Sequence, residues 1–195
     1  MALKIENVSK SFENKTLFSN FNVTFEENGL YSLVGASGTG KTTLLRMIAG
    51  LDKNFQGEIT GGGIENVSFM FQEYRLFPTL SALENAIIPN GEMTNSALRD
   101  NATALFLRLG FTEDDMNLLP AQLSGGMKQR VSFIRSILRK TPILILDEPT
   151  KELDEAVRNE MSKIILSESK SRLVILVSHN ENENISIDSK KIHLN

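Results

Sequence analysis

Three short stretches of this chain carry residue types suited to handling a polyphosphate. Gly35-Ala36-Ser37-Gly38-Thr39-Gly40-Lys41-Thr42 fits the pattern of a glycine, four free positions, then Gly-Lys-Thr. It follows an apolar run, Leu30 to Val34, and precedes a helix-forming stretch. Glycines let backbone N–H groups converge on phosphate oxygens, and the opening turn of a helix adds positive potential. Lys41 can then neutralise the β and γ oxygens, and the Thr42 hydroxyl can ligate Mg²⁺. Gly35 through Thr43 is therefore expected to be a phosphate-binding loop. Ile143-Leu-Ile-Leu-Asp147-Glu148 is an apolar strand ending in two carboxylates. Open α/β sheets bind ligands at such carboxyl ends. Asp147 is placed to hold a Mg²⁺ shell, and Glu148 to orient and polarise an attacking water. In Leu123-Ser124-Gly125-Gly126-Met127-Lys128-Gln129-Arg130 a serine and two glycines open a helix. That helix start is an exposed anion site of low steric bulk.

The elements around these stretches must put them at strand ends and helix starts. Leu3, Ile5 and Val8, then Phe21, Val23 and Phe25, alternate with polar residues and predict a small antiparallel sheet. Leu30 to Val34 is a buried strand, and Thr43 to Gly50 a helix stopped by its glycine. Gly61 to Gly63 makes a tight connection, and Val67 to Phe71 a further strand leading to Gln72. From Glu73 to Gln122 the period becomes helical. Thr94 is the expected N-cap of a helix with apolar positions Leu98, Ala102, Leu105 and Leu109, ended by Gly110. Helices are expected from about 125 to 140 and 154 to 167, with strands at 143 to 146 and 173 to 177. Strands alternating with helices imply a mostly parallel α/β sheet, with the stretch at about 73–122 inserted as a helical subdomain of a single domain covering 1–195.

Composition narrows the function classes. The 195 residues are 41% hydrophobic and 23% charged, with a formal net charge of −3, which disfavours a nucleic-acid partner. No cysteine is present, so a disulfide framework, a thiolate metal site and a cysteine nucleophile are excluded. The N-terminus has no apolar run of signal-peptide length, and charges interrupt every hydrophobic stretch. A cytoplasmic protein is expected, with any membrane-spanning helices supplied by another chain.

The first two stretches alone would suit any P-loop enzyme, small-molecule kinases and GTPases included. The third, lying between the helical insert and the acidic strand, resembles the signature of the ABC ATPases, and the resemblance then extends over nearly the whole chain. It implies the P-loop NTPase fold and an ATP-hydrolysing subunit of an ABC transporter, with ATP and Mg²⁺ as cofactors. Asp147 and Glu148 correspond to its Walker B carboxylates. Phe12 sits where the family stacks an aromatic on adenine, with Phe here where Tyr is commoner. Gln72 matches the Q-loop, whose glutamine reaches metal and water. Asp154 matches the D-loop, although Lys151 and Glu152 stand where small residues are usual. His179 matches the switch histidine that contacts the γ-phosphate, followed by Asn180 in place of Asp. Lys41, Gln72, Glu148 and His179 are the catalytic candidates that follow, and Thr42, Gln72 and Asp147 the metal ligands.

The resemblance also implies a dimer of like or paired ATPase subunits, in which Ser124, Gly125 and Gly126 of one chain face the phosphate loop of the other. Transmembrane permease subunits would dock on the helical subdomain near the Q-loop, with Tyr74, Arg75 and Phe77 as contacts and Leu76, Leu80 and Leu83 as subdomain core. That places the chain on the inner face of the membrane. The 31 positions from Lys41 to Gln72 are fewer than is usual, so strands around Gly61 to Gly63 should be trimmed, and the end at Asn195 leaves no regulatory domain. The 50 residues from Glu73 to Gln122 are too few for the coiled coil of a chromosome or repair ATPase. Wording such as Leu-Leu-Arg-Met-Ile-Ala-Gly-Leu resembles nitrate, sulfonate and taurine importers, while Ser-Ala-Leu-Glu-Asn resembles lipoprotein-release and macrolide exporters. The balance favours import.

Overall fold

Alternating apolar residues in the first 25 positions build two long paired strands. The structure, a computed structural model, describes residues 2–12, 15–151, 153–177 and 189–194. Strand β1 (Leu3–Phe12) pairs antiparallel with β2 (Lys15–Phe25), placing Leu3 opposite Phe25 and Val8 opposite Phe21. Leu3, Ile5, Val8 and Phe25 are each at most 1% exposed, the inward face that the period-2 pattern requires.

The centre of the second sheet is built from runs apolar on both faces, as expected when each face is covered. Strand β3 (Gly29–Val34) leads to helix α1 (Lys41–Ile48), and β4 (Gln56–Thr60) then returns to pair antiparallel with β1. The small sheet thus runs β2-β1-β4, and its third strand comes from beyond the phosphate loop. Later in the chain come β5 (Val67–Met70), β6 (Ile143–Asp147), β7 (Leu173–Val177) and β8 (Lys190–His193), which join β3 in a sheet of order β5-β6-β7-β3-β8. The pairs β6·β7, β7·β3 and β3·β8 are parallel. Every residue of β6 and β7 is buried. The β8 strand went unrecognised in the sequence because its four residues, Lys-Lys-Ile-His, are mostly exposed at a sheet edge.

Contacts divide the chain into two compact units. The first contains Met1–Phe69, Thr141–Asp147 and Leu166–Asn195, and both sheets lie in it almost entire. Its core joins Leu3, Ile5 and Val8 to Leu44, Leu45 and Ile48 of α1 and to Ile143, Ile145, Ile175 and Val177. Each such side chain contributes about 1.5–3 kcal/mol by leaving water.

The second unit contains Met70–Lys140 and Glu148–Ile165. It holds α2 (Ala82–Ile87), α3 (Ser96–Arg108), α4 (Glu113–Met116), α5 (Gly125–Leu138) and most of α6 (Glu155–Glu168). Ser81 and Glu84 form a reciprocal capping box on α2, as do Thr112 and Asp115 on α4. The cap of α3 is Asn95, whose Oδ1 accepts from the Leu98 N–H at 3.1 Å, in place of the expected Thr94. The Thr94 hydroxyl is instead engaged with the Glu92 carboxylate at 3.1 Å. Helix α3 buries Ala102 and Phe106, with Leu109 just beyond its end, while Leu98 and Leu105 are half-buried. Phe106 meets Phe111 edge to face, with ring centroids 4.9 Å apart.

Candidate active site

In the first unit, β3 delivers the chain into the loop 35–40, and α1 opens at Lys41. Gly40 is the N-cap residue of α1, at φ +96°, and a Cβ there would lie 2.8 Å from the Phe18 ring. Only glycine suits both the left-handed backbone and that close approach. The Lys41 ammonium, 4% exposed, donates to the carbonyls of Gly35 at 2.6 Å and Ala36 at 2.9 Å. The Thr39 N–H and hydroxyl both donate to Ala36 O, closing the loop as a turn. The Thr42 hydroxyl donates to Asp147 Oδ2 at 3.1 Å, linking the first turn of α1 to the end of β6. That bond crosses 105 positions of sequence, and Asp147 is 2% exposed.

A hydroxyl and a buried carboxylate beside a phosphate loop are hard oxygen donors of the kind Mg²⁺ takes. Among the described residues no group of three or more His, Cys, Asp or Glu could hold a metal alone. Magnesium commonly completes its shell with substrate phosphates and waters, so a two-residue donor set beside the loop fits.

Phe12 is 51% exposed at the end of β1, with the Lys10 ammonium 4.6 Å from its ring centre. It is therefore no core residue. Lys15, opposite Phe12 in the hairpin, donates to Gly38 O at 3.0 Å, a contact to the phosphate loop that no sequence pattern indicated.

In the second unit, Gln72 is exposed two residues beyond β5. The segment after it is held by Arg135 of α5, whose guanidinium donates to Tyr74 O at 2.9 Å and Arg75 O at 2.8 Å. Burial, then the neighbouring Arg75 cation, holds the Arg135 guanidinium below its ordinary pKa. Arg75 itself lies over the Phe71 ring, 3.8 Å from its centre, and pairs with Glu73 at 3.2 Å. Phe77 is 50% exposed, Tyr74, Leu76 and Leu80 are half-buried, and Leu83 is buried.

Ser124 is the N-cap of α5, its hydroxyl accepting from the Met127 N–H at 3.2 Å, and Ser124 and Gly125 are exposed. Asp154 caps α6, accepting from the Val157 N–H at 3.0 Å. Glu148 follows Asp147 in sequence and has φ +53°, a left-handed conformation that costs a non-glycine residue about 1–2 kcal/mol. Its side chain is 8% exposed and Lys151 Nζ lies 3.7 Å from Oε2. Within the first unit the structure thus joins Lys41 to its own loop and Thr42 to Asp147. Ser124, Asp154, Glu148 and Gln72 belong to the second unit. His179 and Asn180, and Glu152 of the expected D-loop, lie outside the described residues.

A phosphate loop between a buried parallel strand and a helix, with an acid-ended strand one place removed in the same sheet, defines a P-loop nucleotide-binding domain. The ABC transporter family profile matches residues 18–151. The aliphatic sulfonates import ATP-binding protein SsuB of Bacillus cereus (strain ZK / E33L) is 35% identical over 205 residues, covering 97% of this chain and 80% of that protein. The spermidine/putrescine import ATP-binding protein PotA of Haemophilus ducreyi (strain 35000HP / ATCC 700724) is 32% identical, covering 99% of this chain and 55% of its own length. Among solved structures, the dimeric post-hydrolysis ATP-binding cassette MJ0796 with ADP and Pi aligns with a TM-score of 0.84 at 29% identity. It covers 98% of this chain and 94% of that one. A second dimeric MJ0796 structure, described as a bacterial ABC transporter cassette, aligns with a TM-score of 0.85. The chain belongs to the ABC transporter family, as its ATP-binding subunit and ATPase. Among the described residues no helix is long and apolar enough to cross a membrane.

Proposed function

We propose that this subunit binds MgATP on Gly35–Thr43, hydrolyses it with Glu148, and works as a pair of cassettes driving import through separate membrane subunits. The observation that carries the reading is the Thr42–Asp147 hydrogen bond of 3.1 Å, which unites the loop that grips phosphate with the strand that ends in acids. Mg²⁺, when bound, supplies positive charge to the β and γ oxygens of the nucleotide. Thr42 and Asp147 would hold it. Lys41 orients the polyphosphate and stabilises the charge that grows on it, and Phe12 stacks on the base. Glu148 accepts the proton of the attacking water or aligns it, and Gln72 and His179 complete the polar surround of the γ-phosphate.

Pairing is supported by the dimeric state of the MJ0796 cassettes and by the helix start at Ser124–Gly126, exposed at Ser124 and Gly125. A helix N-terminus of this kind stabilises a γ-phosphate presented by a second copy. Hydrolysis removes that bridge and opens the pair, because the nucleotide shifts the equilibrium only by its differential contacts. The exposed Phe77 and Arg75 after Gln72 form the surface offered to permease subunits on the inner membrane face. The import direction rests on the SsuB and PotA relatives, both named as import proteins.

The test is Glu148→Gln. Turnover should fall at least about 100-fold while ATP binding persists, and the variant should elute as a dimer only with MgATP. A monomer at saturating MgATP, or unchanged turnover, refutes this mechanism. Direction is read separately, by reconstituting the cassette with the membrane subunit that copurifies with it and following substrate uptake into vesicles.

A further inference from the structure

Glu148 occupies a backbone conformation that its side chain disfavours, at φ +53°, and a residue held there must be over-determined by its surroundings. One of those determinants comes from α5. The Gln129 side chain, 4% exposed, donates from Nε2 to Glu148 O at 2.7 Å, a fully buried hydrogen bond spanning 19 positions. The Lys151 N–H also points at Glu148 O, at 3.4 Å, closing the 148–151 turn. The Glu148 carbonyl therefore accepts from two directions. Rotation of this residue toward an ordinary β conformation would swing the carbonyl away from both donors.

We propose that Gln129 is a positioning residue for ATP hydrolysis. Its buried amide fixes the left-handed main chain at Glu148 and so aims the carboxylate, tying it to the helix that opens at Ser124–Gly126. Gln129 lies five residues past the Ser124 cap on one rigid helix. A shift of that helix start therefore reaches Glu148 directly through this hydrogen bond. The same helix grips the segment after Gln72 through Arg135. Helix α5 thus bonds the main chain at two places in the second unit, and the Gln129 contact is the one next to the group proposed to react.

This inference rests on the reading that Glu148 activates water, so its test keeps the two apart. Gln129→Met preserves length and burial but removes the donor, and Gln129→His restores an N–H at about the same reach. Steady-state ATPase should show kcat lowered about tenfold in Gln129→Met, equivalent to about 1.4 kcal/mol, with KM for ATP within about twofold. Gln129→His should recover a substantial part of the rate, and the order Gln, His, Met should hold whatever the order of melting temperatures. Wild-type kcat in folded Gln129→Met, rates that track melting temperature alone, or equal losses in the Met and His variants each overturn the positioning role. If Gln129→Met does not fold, a Gln129→His variant with wild-type melting temperature and rates lowered tenfold or more would also overturn it. Glu148→Gln serves as the parent control: if that variant keeps normal turnover, the assignment of Glu148 itself fails, whatever Gln129 does.

Discussion

Replacing Thr42 by Ala removes the hydroxyl that donates to Asp147 Oδ2 at 3.1 Å and leaves the fold of α1 otherwise intact. A hydrogen bond to a carboxylate contributes about 1.5–3 kcal/mol, and the solvent-facing side of Thr42 puts this one near the lower end. At about 1.5 kcal/mol, a chain of this size should melt about 3–6 °C lower without nucleotide. Thr42→Ser keeps the donor and should stay within about 2 °C of the parent. The second effect appears with MgATP. Saturation at 100 times Kd adds about 2.7 kcal/mol of stability to the parent. A metal ligand whose loss weakens binding about 30-fold leaves about 0.9 kcal/mol at the same concentration. Differential scanning fluorimetry in EDTA, then with MgATP, measures both quantities on one sample. Equal melting temperatures for the Ala and Ser variants in EDTA, together with equal nucleotide-induced shifts, would refute the joint role of Thr42 and Asp147.

Phe12→Ala should raise KM for ATP about five- to thirtyfold, the worth of one stacked base, with kcat little changed, whereas Phe12→Tyr should match the parent. Because Phe12 is half exposed, its melting temperature should barely move in either variant. Gly62→Ala places a Cβ 2.4 Å from Ile48 O at the end of α1, and the displaced backbone should cost about 1–3 kcal/mol in urea denaturation. Asp52→Asn tests the ion pair with Lys10, whose ammonium lies 2.9 Å from Oδ2. Burial pushes the Asp52 carboxyl up, but the Lys10 hydrogen bond, the Asn54 N–H and the Lys10 and Arg46 charges together hold it below its ordinary value. A carboxyl lowered on folding stabilises above its unfolded pKa of 3.8 and loses that contribution as pH falls through the folded value. The variant should therefore be less stable than the parent at pH 7, by about 1 kcal/mol once solvent screening of the partly exposed carboxylate is allowed for, and the gap should narrow below about pH 3.8.

The elements that carry the candidate chemistry were legible in the chain itself. The loop from Gly35 to Thr43, the strand ending at Asp147-Glu148 and the helix opening at Ser124 each need only local geometry, so residue type and spacing were enough. The strands β6 and β7 were equally plain, because a strand buried on both faces must be apolar throughout. Local competition blurred the cap of α3, where Thr94 and Asn95 both offer a capping oxygen and the Glu92 carboxylate draws the threonine away. Edge pairing was invisible for a different reason: β8 gains its place from the main chain of β3, and its exposed side chains leave no apolar period.

What tertiary structure alone decided are the bonds between residues far apart in the chain. Thr42 reaches Asp147, Lys15 reaches the Gly38 carbonyl, and Arg135 reaches Tyr74 and Arg75, across separations that no periodicity encodes. The left-handed main chain at Glu148 is the sharpest case. Nothing in a glutamate favours positive φ, so the conformation follows from the carbonyl's partners, with Gln129 arriving from a helix 19 positions earlier. Residue types and their spacing name the groups able to act on a nucleotide, and packing sets their angles, because dihedral strain is sustained only by neighbours that a linear sequence does not place.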